Sequence, residues 1–119
     1  MHIDRFDHFV LAVRDIDVTI GFYQTVLGMA PVTFGAGRKA LTFGQLKINL
    51  HPADAPIVPH ANHPVPGSAD LCFIAPDSIG SVIDHLRKCG VPIEDGPVPQ
   101  SGALGPIALT WSSKIGQPS

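Results

Sequence analysis

The first polar and apolar alternation in the chain covers residues 7–13. Phe9, Leu11 and Val13 fall on one side of a period of two, while His8, Val10 and Ala12 fall on the other. A short apolar run of this kind, followed by polar Arg14-Asp15, predicts a strand. His8 then stands among small apolar neighbours on one face of the sheet.

The pattern changes to a helical period after this strand. Asp15 or Asp17 can cap a helix, and Gly28 stands where a left-handed C-cap is wanted. The predicted helix is apolar on one side, at Ile16, Ile20, Tyr23 and Leu27.

Three strand-like segments follow the helix, separated by glycine-containing turns. They are residues 29–34, 39–43 and 47–51. We predict that they form an antiparallel meander, which makes the first unit strand–helix–three strands.

A second unit begins beyond residues 52–67, whose prolines favour a linker. Residues 69–74 predict a strand, residues 79–86 carry an apolar stripe at helical spacing, and residues 91–98 predict another strand. A shift of 62 positions lays His8 on Asp70, Asp15 on Asp77 and Gly28 on Gly90. We infer an internal duplication.

The second unit ends differently from the first. After residues 91–98 come a loop at 99–105, a strand at 106–111 and a polar tail at 112–119. One strand is missing. We therefore predict an α+β fold of tandem βαβββ repeats that form a cup-shaped, incompletely closed mixed sheet. It is one domain over 1–119, with repeats at 1–52 and 68–111.

Composition limits the partners. A formal charge of -2, from 8 Lys+Arg and 10 Asp+Glu, provides no basic stripe for nucleic acid or an anionic membrane. No apolar run reaches the roughly 18 residues of a membrane helix, and no signal peptide is recognisable. We expect a cytoplasmic protein whose partners are small molecules or other proteins.

Five segments carry a resemblance to a known family. The chain resembles the vicinal-oxygen-chelate superfamily, which includes glyoxalases, dioxygenases and antibiotic-resistance proteins, and is most similar to its small bacterial virulence-type glyoxalase-domain members. The segments are Asp7-His8-Phe9-Val10-Leu11, Phe22-Tyr23 with Leu27-Gly28-Met29, Lys47-Ile48-Asn49-Leu50-His51, residues 67–73 and residues 102–107.

The resemblance implies a divalent metal, such as Mn, Fe, Ni, Zn or Mg, inside the cup. By position it assigns His8 and Asp70 as metal ligands, and it places Asn49 and His51 on the fourth strand. His51 is the better ligand by its chemistry. Each has a structural alternative: His8 and Asp70 bonded to nearby backbone, and Asn49 and His51 facing solvent. The family's glutamate ligand on the last strand has no counterpart here, and no general base is identifiable.

Two functions remain open at this point. One is a metal-dependent lyase or dioxygenase acting on a small substrate with neighbouring oxygens, in which Arg38, Asn49 and His51 contact the substrate. The other is a metal-poor protein that binds a small hydrophobic or anionic ligand, or an inactive relative. The sheet edge exposed by the missing strand favours a homodimer.

Overall fold

The structure is a computed structural model that describes residues 1–116. Its elements are β1 His8–Val13, α1 Ile16–Leu27, β2 Ala30–Phe34, β3 Arg38–Phe43, β4 Leu46–Pro52, α2 Ile79–Lys88, β5 Asp95–Gly102, β6 Gly105–Trp111 and α3 Ser113–Gly116. The described residues form two open sheets and no closed barrel. The predicted α+β, incompletely closed fold class is confirmed.

Sheet one is formed by the first repeat in the strand order β1-β4-β3-β2. β1 and β4 are parallel, with Phe9 opposite Ile48 and Leu11 opposite Leu50, and the other neighbours are antiparallel. One face of the sheet is therefore apolar, and it forms a core with α1. Sheet two is the hairpin β5–β6.

Helix α1 begins and ends at the predicted residues. The Asp15 carboxylate accepts a hydrogen bond from the Val18 amide at 3.0 Å, and Gly28 closes the helix at a φ of 68°. Tyr23 is fully buried under the helix, and its hydroxyl donates to the backbone oxygen of Ile115. This bond ties the end of the described chain to the core of repeat one.

The two repeats meet through their helices. Val26 on α1 packs against Leu86 on α2 and against Val91. An imidazole nitrogen of His85, Nε2, lies 2.6 Å from the Val26 carbonyl oxygen and donates to it. Burial and a directed hydrogen bond together fix α2 beside α1.

The predicted strand at residues 69–74 is wrong. These residues are extended, and Ala69, Leu71 and Phe73 pack against the core of sheet one while the alternate residues are exposed. Within the described chain no strand pairs with them. The opening strand of repeat one pairs with β4. No described element takes the place of β4 in repeat two. Residues 69–74 therefore show the alternating burial of a strand but have no neighbouring strand to hydrogen-bond with.

The strand predicted at 91–98 lies further along the chain, at β5. Val91 is buried in the cluster between α1 and α2, with Ile93 packed against it, so these apolar residues serve helix packing instead of a ladder. Residues 99–102 of the predicted loop belong to β5, which turns directly into β6.

The predicted polar tail begins with a short helix. Glu94 accepts hydrogen bonds from the amide and hydroxyl of Ser113 and so caps α3. The last three residues of the tail, 117–119, lie outside the described residues. No helix within residues 1–116 has the length and apolar character that a membrane crossing needs.

Candidate functional site

The face of sheet one opposite α1 is called the polar face here. The pairing register decides its members, because paired residues point to the same side. None of the four strands of sheet one contains Asp or Glu. Across β1, β4, β3 and β2 the polar face carries His8, Val10, Ala12, Lys47, Asn49, His51, Arg38, Ala40, Thr42, Ala30, Val32 and Phe34.

Two cations meet one aromatic ring on this face. The Arg38 guanidinium carbon lies 4.9 Å from the centre of the Phe34 ring, and Lys47 Nζ lies 4.0 Å from it. Phe34 and Lys47 lie on either side of the paired residues Ala40 and Asn49, so their contact passes over these two residues. Ala40 is 0% exposed and Asn49 is 5% exposed. A cation–π contact on a partly exposed ring contributes about 0.5–1 kcal/mol. Little free energy is therefore needed to separate Lys47 from Phe34 and expose Asn49.

Arg38 fixes the tautomer of His51. Its Nη2 lies 3.3 Å from His51 Nε2. A guanidinium nitrogen can only donate, so Nε2 accepts and the ring proton is on Nδ1. Burial, followed by the charges of Arg38 and His60, lowers the pKa of His51. The ring is therefore neutral at pH 7.

Three buried polar atoms on the polar face have no hydrogen-bond partner among residues 1–116. They are Arg38 Nε, His51 Nδ1 and Asn49 Oδ1. With the tautomer above, the first two are N–H donors and the third is an acceptor. An unsatisfied buried donor costs about 1–3 kcal/mol, so the guanidinium N–H of Arg38 and the imidazole N–H of His51 favour an incoming oxygen acceptor.

His8 opens β1 at the edge of this face. Its side chain is 46% exposed, and its Nδ1 lies 2.7 Å from the Asp7 carboxylate. The hydrogen bond from His8 lowers the pKa of Asp7. His8 is in register with Lys47, and His51 is in register with Ala12. Four residues along the strands separate the backbone positions of His8 and His51 by about 13 Å, whereas the backbone position of Asn49 is about 8 Å from that of His8 on the diagonal.

Asp70 lies apart from the polar face. It is on the exposed side of the extended segment 69–74, and it lines a cavity of about 660 Å³ together with residues of α2 and β6. The structure therefore brings Arg38, Asn49 and His51 together, and it does not bring His8, Asp70 and His51 together.

A family model described as the Glyoxalase/Bleomycin resistance protein/Dioxygenase superfamily matches residues 5–105. The chain belongs to this superfamily. Virulence protein STM3117 of Salmonella typhimurium is 51% identical over 107 residues, which cover 90% of the chain and 74% of the relative. Its crystal structure superposes with a TM-score of 0.91 at 49% identity, covering 94% of the chain and 89% of the relative.

Two further proteins are similar to the chain, one in sequence and the other in fold alone. Glyoxalase domain-containing protein RDO1 of Mycosarcoma maydis is 52% identical over 101 residues, 85% of the chain, and the chain spans 57% of its length. FosX of Listeria monocytogenes, a fosfomycin resistance protein solved with Mn(II) and sulfate, shares the fold at a TM-score of 0.57 and 15% identity, covering 84% of the chain and 75% of FosX. The resemblance inferred from the sequence is confirmed at the level of the superfamily.

The residues present do not fit a complete metal centre of the kind the superfamily implies. Within residues 1–116 there is no group of three His, Cys, Asp or Glu side chains placed to hold an ion. His51 presents a protonated Nδ1, and a guanidinium lies against its other nitrogen. Neither ring nitrogen therefore has a free lone pair for a metal ion, and the Arg38 charge repels a cation. The assignment of His8, Asp70 and His51 as metal ligands stays a prediction.

Phe34 is the residue of this site that sequence reasoning missed. It is paired with Arg38 across the turn at residues 35–37, and this pairing puts both side chains on the polar face. The signal was available, since a three-residue hairpin turn fixes which residues face each other.

Proposed function

We propose that this superfamily member binds a small anionic molecule with neighbouring oxygen atoms on the polar face of sheet one. One observation carries the proposal: Arg38 Nε and His51 Nδ1 are buried N–H donors without an acceptor. They lie on a sheet whose strands carry no carboxylate. A carboxylate or phosphate group supplies the missing acceptor oxygens.

Each of the three residues has a separate role in this binding. The Arg38 guanidinium provides charge and a fork of donors, and neutral His51 donates from Nδ1. Asn49 Oδ1 accepts, so it suits a hydroxyl next to the anionic group. Phe34 and Lys47 cover Asn49 in the free protein, and the ligand displaces that cover.

Isothermal titration with phosphate, small hydroxy acids and their uncharged amides tests the proposal. We expect the anions to bind and Arg38→Gln to weaken them at least about tenfold, which corresponds to about 1.4 kcal/mol. Lys39→Gln is the matched control. Lys39 is the neighbour of Arg38 on the same strand, but its side chain bonds Thr33 and lies on the other face. No saturable anion binding, or an equal loss in both variants, contradicts the proposal.

The metal-dependent reaction on a small substrate is the second candidate. Asn49 Oδ1 has no partner and is the diagonal neighbour of His8, so these two side chains are the start of a ligand set. The Mn(II) in FosX supports a metal for the fold. A metal bound there would act as a Lewis acid on neighbouring substrate oxygens. Here its ligand set is incomplete.

We also propose that the chain forms a homodimer, as its uncovered edges suggest. Phe6 and Val10 lie at the open edge that β1 forms in sheet one, and they are exposed apolar side chains that a second copy would bury. Sedimentation velocity at rising protein concentration distinguishes a dimer from a monomer. The cytoplasmic location stays a prediction.

A further inference from the structure

A groove in repeat two lies where repeat one has a strand. In sheet one, β4 lies between β1 and β3, parallel to the first and antiparallel to the second. Residues 69–74 correspond to β1, and β6 corresponds to β3 as the second strand of the hairpin after the helix. The 660 Å³ cavity lies between residues 69–74 and β6. We call this cavity the strand groove.

Both walls of the strand groove offer free backbone groups. Among the described residues, the backbone of Ala69–Ile74 makes no backbone hydrogen bond, and β6 is paired only on the side of β5. In repeat one the corresponding edges are joined through β4. Two extended edges that face one gap are joined into one ladder when a strand lies between them.

The side chains around the strand groove match a strand with one apolar face. Its lining includes Ile79, Val82 and Leu86 of α2, as α1 lies behind sheet one in repeat one. Leu71 and Leu109 lie on opposite walls and are half-buried. β6 has no charged residue. Charged side chains on an edge strand commonly prevent it from pairing with another strand, and the open edge of β6 has none.

We propose that the strand groove binds an added extended peptide segment, as a strand parallel to residues 69–74 and antiparallel to β6. The segment has about seven residues, like β4, and its alternate apolar side chains face α2. Ile48 and Leu50 are directed at α1 in the same way.

A folded second copy does not fit this place through β6. The β6 strand of that copy already pairs with its own β5, so one of its edges is closed. The occupant needs two free edges, because the strand groove has a wall on each side. This inference does not depend on the anion site of sheet one.

The probe is a labelled synthetic peptide with the sequence of Leu46–Pro52, since this strand fills the equivalent place in repeat one. We expect saturable binding in fluorescence anisotropy with a Kd of roughly 1–100 µM. Hydrogen exchange at residues 69–74 and at β6 slows when the peptide binds, because added ladder bonds protect amides on both walls. Apolar adhesion alone would leave that exchange unchanged.

Two controls separate strand addition from other binding. The peptide carrying Ile48→Asp, tested on the unaltered protein, loses at least about tenfold in affinity, because its core-facing position becomes charged. In the protein, Leu109→Lys on the wall weakens binding, whereas Gln100→Lys on exposed β5 leaves it unchanged.

Three results would overturn the proposal. The first is no saturable binding up to about 1 mM peptide. The second is a binding affinity that neither Ile48→Asp in the peptide nor Leu109→Lys in the protein changes, with no slowing of amide hydrogen exchange at the two walls. The third is slow hydrogen exchange at residues 69–74 and at β6 in the absence of peptide, if this protection increases with protein concentration. A second copy of the chain would then occupy the strand groove.

Discussion

Arg38 Nη2 lies 3.3 Å from His51 Nε2, across the ladder that joins β3 to β4. This contact places a permanent positive charge against a buried imidazole. Burial, and after it this charge, makes the charged form of His51 unfavourable, and the contact leaves Nδ1–H as an unused donor. The proposed anion site and part of the lowering of the His51 pKa therefore depend on the same contact.

The titration of His51 provides the first prediction. Its folded pKa lies below the ordinary value of 6.5, chiefly through burial and then through Arg38. Below pH 6.5 the unfolded chain binds a proton that the fold does not, so His51 stabilises the fold above that pH and the contribution is lost as pH falls. We expect Arg38→Gln to raise the pKa of His51 in an NMR titration. An unchanged His51 titration would contradict the role given to Arg38.

Repeat one is predictable from local sequence signals. Asp15 and Gly28 mark the ends of α1, and glycine-containing turns mark the meander, so β1 to β4 follow within a few residues. Residues 69–74 carry an equally clear alternation, and yet they form no ladder. Alternation reports burial on one side, whereas a strand also needs a partner, which lies elsewhere in the chain.

The site was predictable to the same degree. Alternation along β4 placed Asn49 and His51 on one face, and Arg38 was expected to contact the substrate with them. The structure shows Arg38 Nη2 beside His51 Nε2. The spacing of His8 from His51 was not accessible, because it depends on the register between β1 and β4. A shift of two residues in that register changes the distance by about 7 Å.

Gly96 provides a prediction about sheet two. Its φ is 96°, and an added Cβ would lie 2.4 Å from the Leu109 carbonyl oxygen. We expect Gly96→Ala to destabilise the fold by at least about 2 kcal/mol, because backbone must move. Gly80→Ala is the matched control. Gly80 lies in α2 with open space around it, so that change is expected to be neutral or stabilising by up to about 1 kcal/mol. Urea unfolding measures both, and equal stabilities would contradict the packing at Gly96.

Tyr23 predicts a loss of stability at high pH. Burial raises the pKa of its hydroxyl from 10.0 to about 12. Between these values the unfolded chain releases a proton that the fold retains, so the stability present below pH 10 is lost as pH rises towards 12. We expect urea midpoints to fall over this range in the wild type and to fall less in Tyr23→Phe. That variant is itself less stable at pH 8 by about 1 kcal/mol, since the Ile115 carbonyl loses its donor. Parallel curves for the two proteins would contradict the burial of this hydroxyl.

Metal content distinguishes the two candidate functions. His8 is about 13 Å from His51 along the strands, Asp70 lies on another segment, and the Arg38 charge lies against His51. We therefore expect protein purified from medium supplemented with Mn, Fe, Ni and Zn to hold far less than one metal ion per chain by elemental analysis. His8→Ala and Asp70→Ala should leave that content unchanged, while anion binding persists in both. Nearly one ion per chain, lost in both variants, would show instead that the two side chains share an ion. The metal-dependent reaction would then become the favoured function, and the anion on the polar face would be its substrate.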